Sequence, residues 1–431
     1  MSKSTLSLEE INNKIEKNKN THICYKDEKK YIEVPFNVDE DIEKIEVSVW
    51  FDKKDGSCVI DLGLRDSENI RGWSGGARNK IFVSQYSATF GYVKNEIKKG
   101  QWAVILGTYK IPKDGCEVNI KITLYKKHYR WLKGDFHTHS YHSDGKYTLE
   151  NVAQIAEEKG LDFIALTDHN TVSQNYSYDE TKDVLFIPGM ELTTNFGHCN
   201  FLGVDNPIRD FRCLNRKQIE KLIDEAKNNK AKIVLNHPLD ENCGWKFGLD
   251  VYYDAIEIWN GHPLGIHNMK ALNWWQKELE KGKKINIVGG SDIHRDNDFI
   301  EHGRPTTWVW SLEKSKSHIL DAICKGHSFI SYKENGPTID IRCSKYLMGD
   351  IIGLNKKEEI DIKCKSLQDN DLVRIISNKG TIEQYKIKEY TTLHRKVKME
   401  DKKFIRVEVW RWCIEVDDYV IASISNPIYN K

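Results

Sequence analysis

Short apolar runs closed by a histidine or a carboxylate recur through the middle of this chain. One run leads into Gly134-Asp135-Phe136-His137-Thr138-His139, and Asp162 to Thr167 is followed at once by Asp168 and His169. Val184 to Met190 ends at Glu191, His198 opens the run Cys199 to Val204, and Lys232 to Asn236 ends at His237. Ile285 to Gly290 leads into Ser291, Asp292, Ile293 and His294. Between the runs the apolar period changes to that of a helix. Leu149, Val152, Ile155 and Ala156 share one face of Thr148 to Lys159, and Ile219, Leu222, Ile223 and Ala226 share one face of Asn215 to Lys227. Strands alternating with helices predict parallel β/α units, and in a barrel of such units functional side chains gather at the carboxyl ends of the strands. Scattered core or surface histidines would not fall at that point in unit after unit.

His137 and His139 are two apart, so on an extended segment both imidazoles face one way. With Asp135 and Asp144 nearby they begin a metal site of nitrogen and oxygen ligands. The whole series, His-x-His, Ser-Asp-Gly, Thr-Asp-His, Gly-x-Glu, Gly-His, Asn-His-Pro and Ser-Asp-x-His, resembles the PHP family, named for its polymerase-associated and histidinol-phosphatase members. The resemblance spans about residues 131–335. It implies a distorted (β/α)7 barrel of the TIM-like kind, with two or three divalent metal ions that hydrolyse phosphoesters. Carried over by position, it implies a first ion on His137, His139, Glu191 and Asp292, and a second on Glu191, His198 and His237, bridged by Glu191. Asp144, His169 and His294 would hold a third. Asp144 stands where the histidinol phosphatases tend to carry a histidine. That points to another branch, which includes nucleotide phosphoesterases and, with a β-rich domain before the barrel, relatives of carbamate hydrolases.

Both flanks read as β structure. In residues 1–130, Tyr31 to Phe36, Ile45 to Phe51, Val59 to Leu64, Trp102 to Thr108 and Cys116 to Tyr125 are Val-, Ile- and aromatic-rich runs between turn residues, which suggests a sandwich or jelly roll. Gly72 to Arg78 is glycine-rich but lacks a P-loop ending and reads as a turn or interdomain loop; Arg71 and Arg78 are candidates to lean over the barrel mouth. In residues 336–431 the alternation with helices stops. Ile339 to Cys343, Ile360 to Lys365, Leu372 to Ser377, Thr381 to Ile387, Phe404 to Trp410 and Tyr419 to Ile424 predict a second β-rich domain. Its basic tract, Lys386 to Lys403, is read first as a solvated face guarded by lysines, and an oligonucleotide surface using Trp410 and Trp412 is the sharper alternative.

A length of 431 residues exceeds what one core organises, in keeping with a central barrel at 131–335 between two β domains. A formal net charge of +1 gives no global pull toward nucleic acid or anionic membrane. The N-terminus is too polar for a signal peptide and no stretch has the apolar length of a membrane helix, so a cytoplasmic location is expected. The ten cysteines include no CxxC pair, which favours reduced thiols over disulfides or a thiolate zinc site; Cys199 is read as core.

Carboxylates mixed with imidazoles suit Mn, Fe or Zn. Two close ions generate a hydroxide nucleophile and clamp the attacking and leaving oxygens at phosphorus, so no side-chain nucleophile is required. Ser291 is read as strand-end support, and Asp168 as a residue that orients a ligand imidazole from behind. Glu191, Asp292 and Arg304 are the expected catalytic groups. Arg304 and then Arg295 are the candidates for phosphate contact, each with Asp296, Asp298 or Glu301 as a competing loop partner. Trp259 and Asn260 are expected to line the substrate pocket, and His262 is left without a role. The expected activity is a metal-dependent phosphoesterase acting on a small phosphorylated or nucleotide-like substrate. A carbamate, ester or amide hydrolase is the enzyme alternative, and a binding or regulatory protein with a vestigial barrel is the alternative outside catalysis.

Overall fold

Period-two alternation builds the N-terminal region: along Tyr31–Val38, Val34, Phe36 and Val38 are buried while Glu33, Pro35 and Asn37 are exposed. The computed structural model describes residues 13–53, 56–178, 183–295, 300–353 and 359–430. Its chain divides into two compact units, Met1–Tyr129 with Glu180–Asp183, and Arg130–Asp179 with Val184–Lys431.

The first unit is a β-sandwich. One four-stranded antiparallel sheet runs Lys14–Ile23, Cys116–Lys126, Ile42–Phe51, Lys80–Ser84, and the other runs Tyr31–Val38, Gly100–Lys110, Val59–Arg65, Ile70–Trp73. Ile45, Val47, Leu62, Trp102, Val104, Ile120 and Ile122 fill the core between them. Arg71 is buried within this core instead of reaching out. Its guanidinium donates to the carbonyls of Val93, Asn95 and Glu96, pairs with Asp66 at 3.4 Å and stacks on Trp102.

In the second unit, among the described residues, four α-helices exceed nine residues: α1 (Leu149–Lys159), α2 (Arg216–Asn228), α3 (Ile266–Glu280) and α4 (Lys316–Lys325). Thr148, Asn215 and Ser315 cap three of them by accepting the amide three residues on, each cap contributing about 1 kcal/mol. Gly160 and Gly326 end α1 and α4 in the left-handed conformation.

The strands do not close into the expected barrel. They fall into two sheets, and the physical reason lies at two seams. Leu185–Ile187 belongs to one sheet and Gly189–Thr194 to the other, because Pro188 between them has no amide to donate to a ladder. At the second seam Ile287–Gly290 and Thr306–Ser311 are joined through the Thr307 hydroxyl, which accepts from the Gly289 amide and donates to its carbonyl. The alternation is also broken by antiparallel pairs: Gly189–Thr194 with Gly197–Leu202, and Thr306–Ser311 with Arg130–Asp135.

One sheet holds Gly189–Thr194, Gly197–Leu202, Lys232–Leu235, Ala255–Asn260 and Ile287–Gly290 in that order. The other begins Leu185–Ile187, Phe163–Ala165, Arg130–Asp135, Thr306–Ser311, Ser328–Ser331. It then continues without a break into Asp418–Ser425, Phe404–Cys413, Leu372–Ser377 and Gly380–Lys386. Beside it, Thr338–Cys343, Glu359–Leu367 and Thr391–Lys398 form a smaller antiparallel sheet that carries the basic tract outward. All ten cysteines are free, and among the described residues no helix is long and apolar enough to cross a membrane.

Candidate metal centre

Just beyond the strand Arg130–Asp135 the chain stays extended, and Thr138 bridges Ile293 in parallel fashion, so His137 and His139 point together. Asp135 fastens this segment. Its carboxylate accepts the amides of His137 (3.1 Å), Ser291 (3.0 Å) and Gly303 (2.8 Å), and complete burial pushes it up to about 6. Ser291 donates its hydroxyl to the His137 carbonyl, the strand-end support expected of it. Gly290 is required for the close approach: a Cβ there would lie 2.3 Å from that of His137 and 2.6 Å from Glu257 Oε1.

Glu191 is the centre of a buried cluster. Its Oε1 lies 3.2 Å from His137 Nε2, 3.2 Å from His198 Nδ1 and 3.6 Å from His237 Nε2. Its Oε2 lies 2.6 Å from His169 Nδ1 and 3.7 Å from His139 Nε2. Burial alone would raise this carboxyl, but His137, His169 and His198 hold it well below the usual range. Asp292 Oδ1 stands 3.0 Å from His139 Nε2 and 3.3 Å from His137 Nε2, and these rings likewise outweigh burial and keep it ionised. His237 and Asp292 both have positive φ, at 27° and 53°, a backbone strain typical of functional positions.

A second cluster lies toward the surface. His169 Nε2 and His294 Nε2 face each other at 3.2 Å, with Asp144 Oδ1 at 3.5 Å from the first and 3.3 Å from the second. His139 joins this group, so its ring stands between the two clusters.

These residues fit divalent ions. His137, Glu191 and His237 form one set of possible ligands, His137, His139 and Asp292 another, and His139, Asp144, His169 and His294 a third, with donor atoms inside 4.8 Å of one another. His139 Nδ1 is buried without a hydrogen-bond partner among the described residues, His137 Nε2 sits between the carboxylates of Glu191 and Asp292 with neither aligned for a hydrogen bond, and two imidazole nitrogens facing each other at 3.2 Å suit a cation or a single shared proton.

The spacing argument missed several supporting residues. Glu257, buried in the strand Ala255–Asn260, holds His137 Nδ1 at 3.2 Å with one oxygen; with the other it accepts the His237 amide at 2.9 Å. It therefore fixes which ring nitrogen of His137 is free for a metal. Asn236 donates to Glu191 Oε1 at 2.7 Å and to Asn200, which donates in turn to the Phe136 carbonyl. Cys243 Sγ lies 3.5 Å from His237 Nδ1 and forms a further potential ligand set with His198 and His237. The signal for Glu257 was a charged residue inside an otherwise apolar strand, which has to be satisfied when buried. Asp168 does something other than orient an imidazole: it accepts the Ser140 amide and the hydroxyls of Ser140 and Ser143, shaping the loop that presents Asp144.

The expected substrate residues are dispersed. A β-bulge between Glu257 and Trp259 re-aims the strand end. Asn260 turns to the cluster, donating to Glu257 (3.0 Å) and Asp292 (3.3 Å), while Trp259 is buried in the core with Leu272 and Trp275. Arg304 is partly exposed, pairs with Glu301 at 3.4 Å and lies close enough to His262 to depress that imidazole after burial has done so. Arg295 is exposed, and Asp296 and Asp298 lie outside the described residues.

A model of the PHP domain matches residues 135–340. An uncharacterised protein of Methanocaldococcus jannaschii is 30% identical over 169 residues, covering 34% of this chain and 94% of that protein. Among solved structures, a two-domain Bacteroides vulgatus protein containing a predicted PHP-like metal-dependent phosphoesterase is 21% identical, covers 69% of this chain and 95% of its own, and has a TM-score of 0.40. An amidohydrolase from Chromobacterium violaceum with bound sulfate is 14% identical, covers 39% of this chain and 89% of its own, and has a TM-score of 0.28.

Proposed function

Because the chain belongs to the PHP domain family, we propose that it is a metal-dependent hydrolase whose substrate is a small phosphorylated or nucleotide-like ester. The observation that carries this reading is the convergence of His137, His139, Glu191, His198, His237 and Asp292 on one buried point, with the outer group Asp144, His169 and His294 beside it. That set would hold two or three divalent ions. When bound, such ions activate water at neutral pH and neutralise charge on phosphoryl oxygens. The chain's own part is to keep Glu191 and Asp292 ionised, to hold the rings of His137 and His237 in place through Glu257 and Cys243, and to present the site on strand ends. In this reading Arg304, paired with Glu301 in the free protein, exchanges that partner for phosphate oxygens.

That same pair favours a second reading. A guanidinium already engaged by a carboxylate leaves a neutral carbonyl substrate, a carbamate, ester or amide, without disadvantage. Activity of the metal-reconstituted protein on a phosphomonoester, a phosphodiester and an aryl carbamate separates the two. The phosphoester reading expects turnover on one of the phosphate substrates and a loss on the order of a hundredfold in kcat/KM there for Arg304→Ala. Turnover confined to the carbamate, or equal small losses on both classes, overturns it.

A further inference from the structure

At the other end of the strands that carry the metal-centre residues lies a cavity of about 390 Å³. Lys232 opens the strand that leads to His237, Asp254 precedes the strand that carries Glu257, and Gly203 follows the strand that begins beside His198. Strand geometry puts it roughly 15 Å from the metal cluster.

Its chemistry is that of an anion site. Lys227, Lys230, Lys232 and Lys316 line it, and among the described residues none of them has a carboxylate partner. Other lysines of this unit do pair, Lys270 with Glu241 and both Lys281 and Lys283 with Glu278. The two acids at the cavity do not cancel the charge. Asp254, which accepts the Ile233 amide (2.9 Å) and the Tyr252 hydroxyl (3.0 Å), and Asp321 are two carboxylates against four ammonium groups, an excess of two positive charges. Lys227 is set in place with Nζ 3.6 Å from the centre of the Tyr252 ring. Lys316 and Ser317 are the first residues of α4, whose Ser315 cap takes the His318 amide and leaves the two preceding amides for another acceptor. An excess of ammonium groups around one cavity favours a polyanion as its occupant.

We propose that this cavity binds a small, multiply charged phosphate anion of about the size of inorganic triphosphate, at a site separate from the metal centre. The probe is sodium triphosphate titrated calorimetrically into the full chain. Lys230 and Lys316 are exposed, so a Lys230→Glu, Lys316→Glu double variant should keep its melting temperature and lose at least tenfold in affinity. Asp321→Asn changes the charge in the opposite direction and should tighten binding severalfold, a gain that misfolding cannot imitate. Glu191→Gln should leave this binding unchanged. Affinity within twofold of the parent in the double variant, no tightening in Asp321→Asn, or binding abolished by Glu191→Gln would each overturn the proposal.

Discussion

The two halves of the metal centre differ in depth, and the difference sets how each can hold an ion. Around Glu191 most side chains are closed to solvent, with Glu191 at 0%, His137 at 1% and His237 at 3% exposure, and only its rim is open, at His198 (14%) and Asp292 (24%). Around Asp144 they are open, with Asp144 at 61%, His294 at 28% and His169 at 24%. Deep donors are fixed by partners behind them: Glu257 on His137, Asn236 on Glu191 and Cys243 by His237. At the outer group Thr193 meets His169 Nδ1 at 2.6 Å, while Asp144 depends on a loop tied down by Asp168. A site without preorganised support would give up an ion more readily, so the deep group is expected to hold an ion more tightly than the outer group.

The harshest way to break that contrast is Glu191→Gln, which keeps shape and removes the charge both halves approach. Turnover should fall on the order of a thousandfold, and elemental analysis should show at least one ion lost per chain. Unchanged metal content would dissociate Glu191 from the deep half. A milder change tests the support behind it. Glu257→Ala frees His137 Nδ1 and the His237 amide, and chelator competition should show the tightest ion bound about 10- to 100-fold more weakly, with the weakest ion unaffected. The gentlest, Asp144→Asn, should shift only the weakest ion, by roughly tenfold, and leave the tight ions in place. If it released the tight ions instead, the halves would be one coupled site.

How far this was legible in the sequence follows from what each feature depends on. Ligand-type residues at strand ends stand out because period-two spacing and the position of a residue after an apolar run are local properties; His137, His139 and His237 needed nothing else. Helix bounds were set by local caps at Thr148 and Asn215. Closure of the barrel depends on pairing between distant strands. Pro188, which parts the sheets at one seam, and the Thr307 hydroxyl, which bridges the other in place of a backbone ladder, look ordinary until their partners are known. Lys14–Ile23 escaped notice because it is nearly all polar; it is a strand by virtue of its ten-residue register with Cys116–Lys126. Glu257 and the buried Arg71 were hidden for a shared reason, since a charge in an apolar run reveals its role only through the partner that satisfies it.

Ser328–Ser331 is hydrogen-bonded on one side to Thr306–Ser311 and on the other to Asp418–Ser425. Cutting the gene after residue 335 would therefore strip one flank of that strand, exposing Phe329 and Ile330 beside a row of unmet backbone donors and acceptors. A fragment made to isolate the metal-binding part would be an aggregation-prone reagent. Its insolubility would say nothing about whether the catalytic residues suffice, and trimming experiments on this protein are better begun at the 129/130 junction.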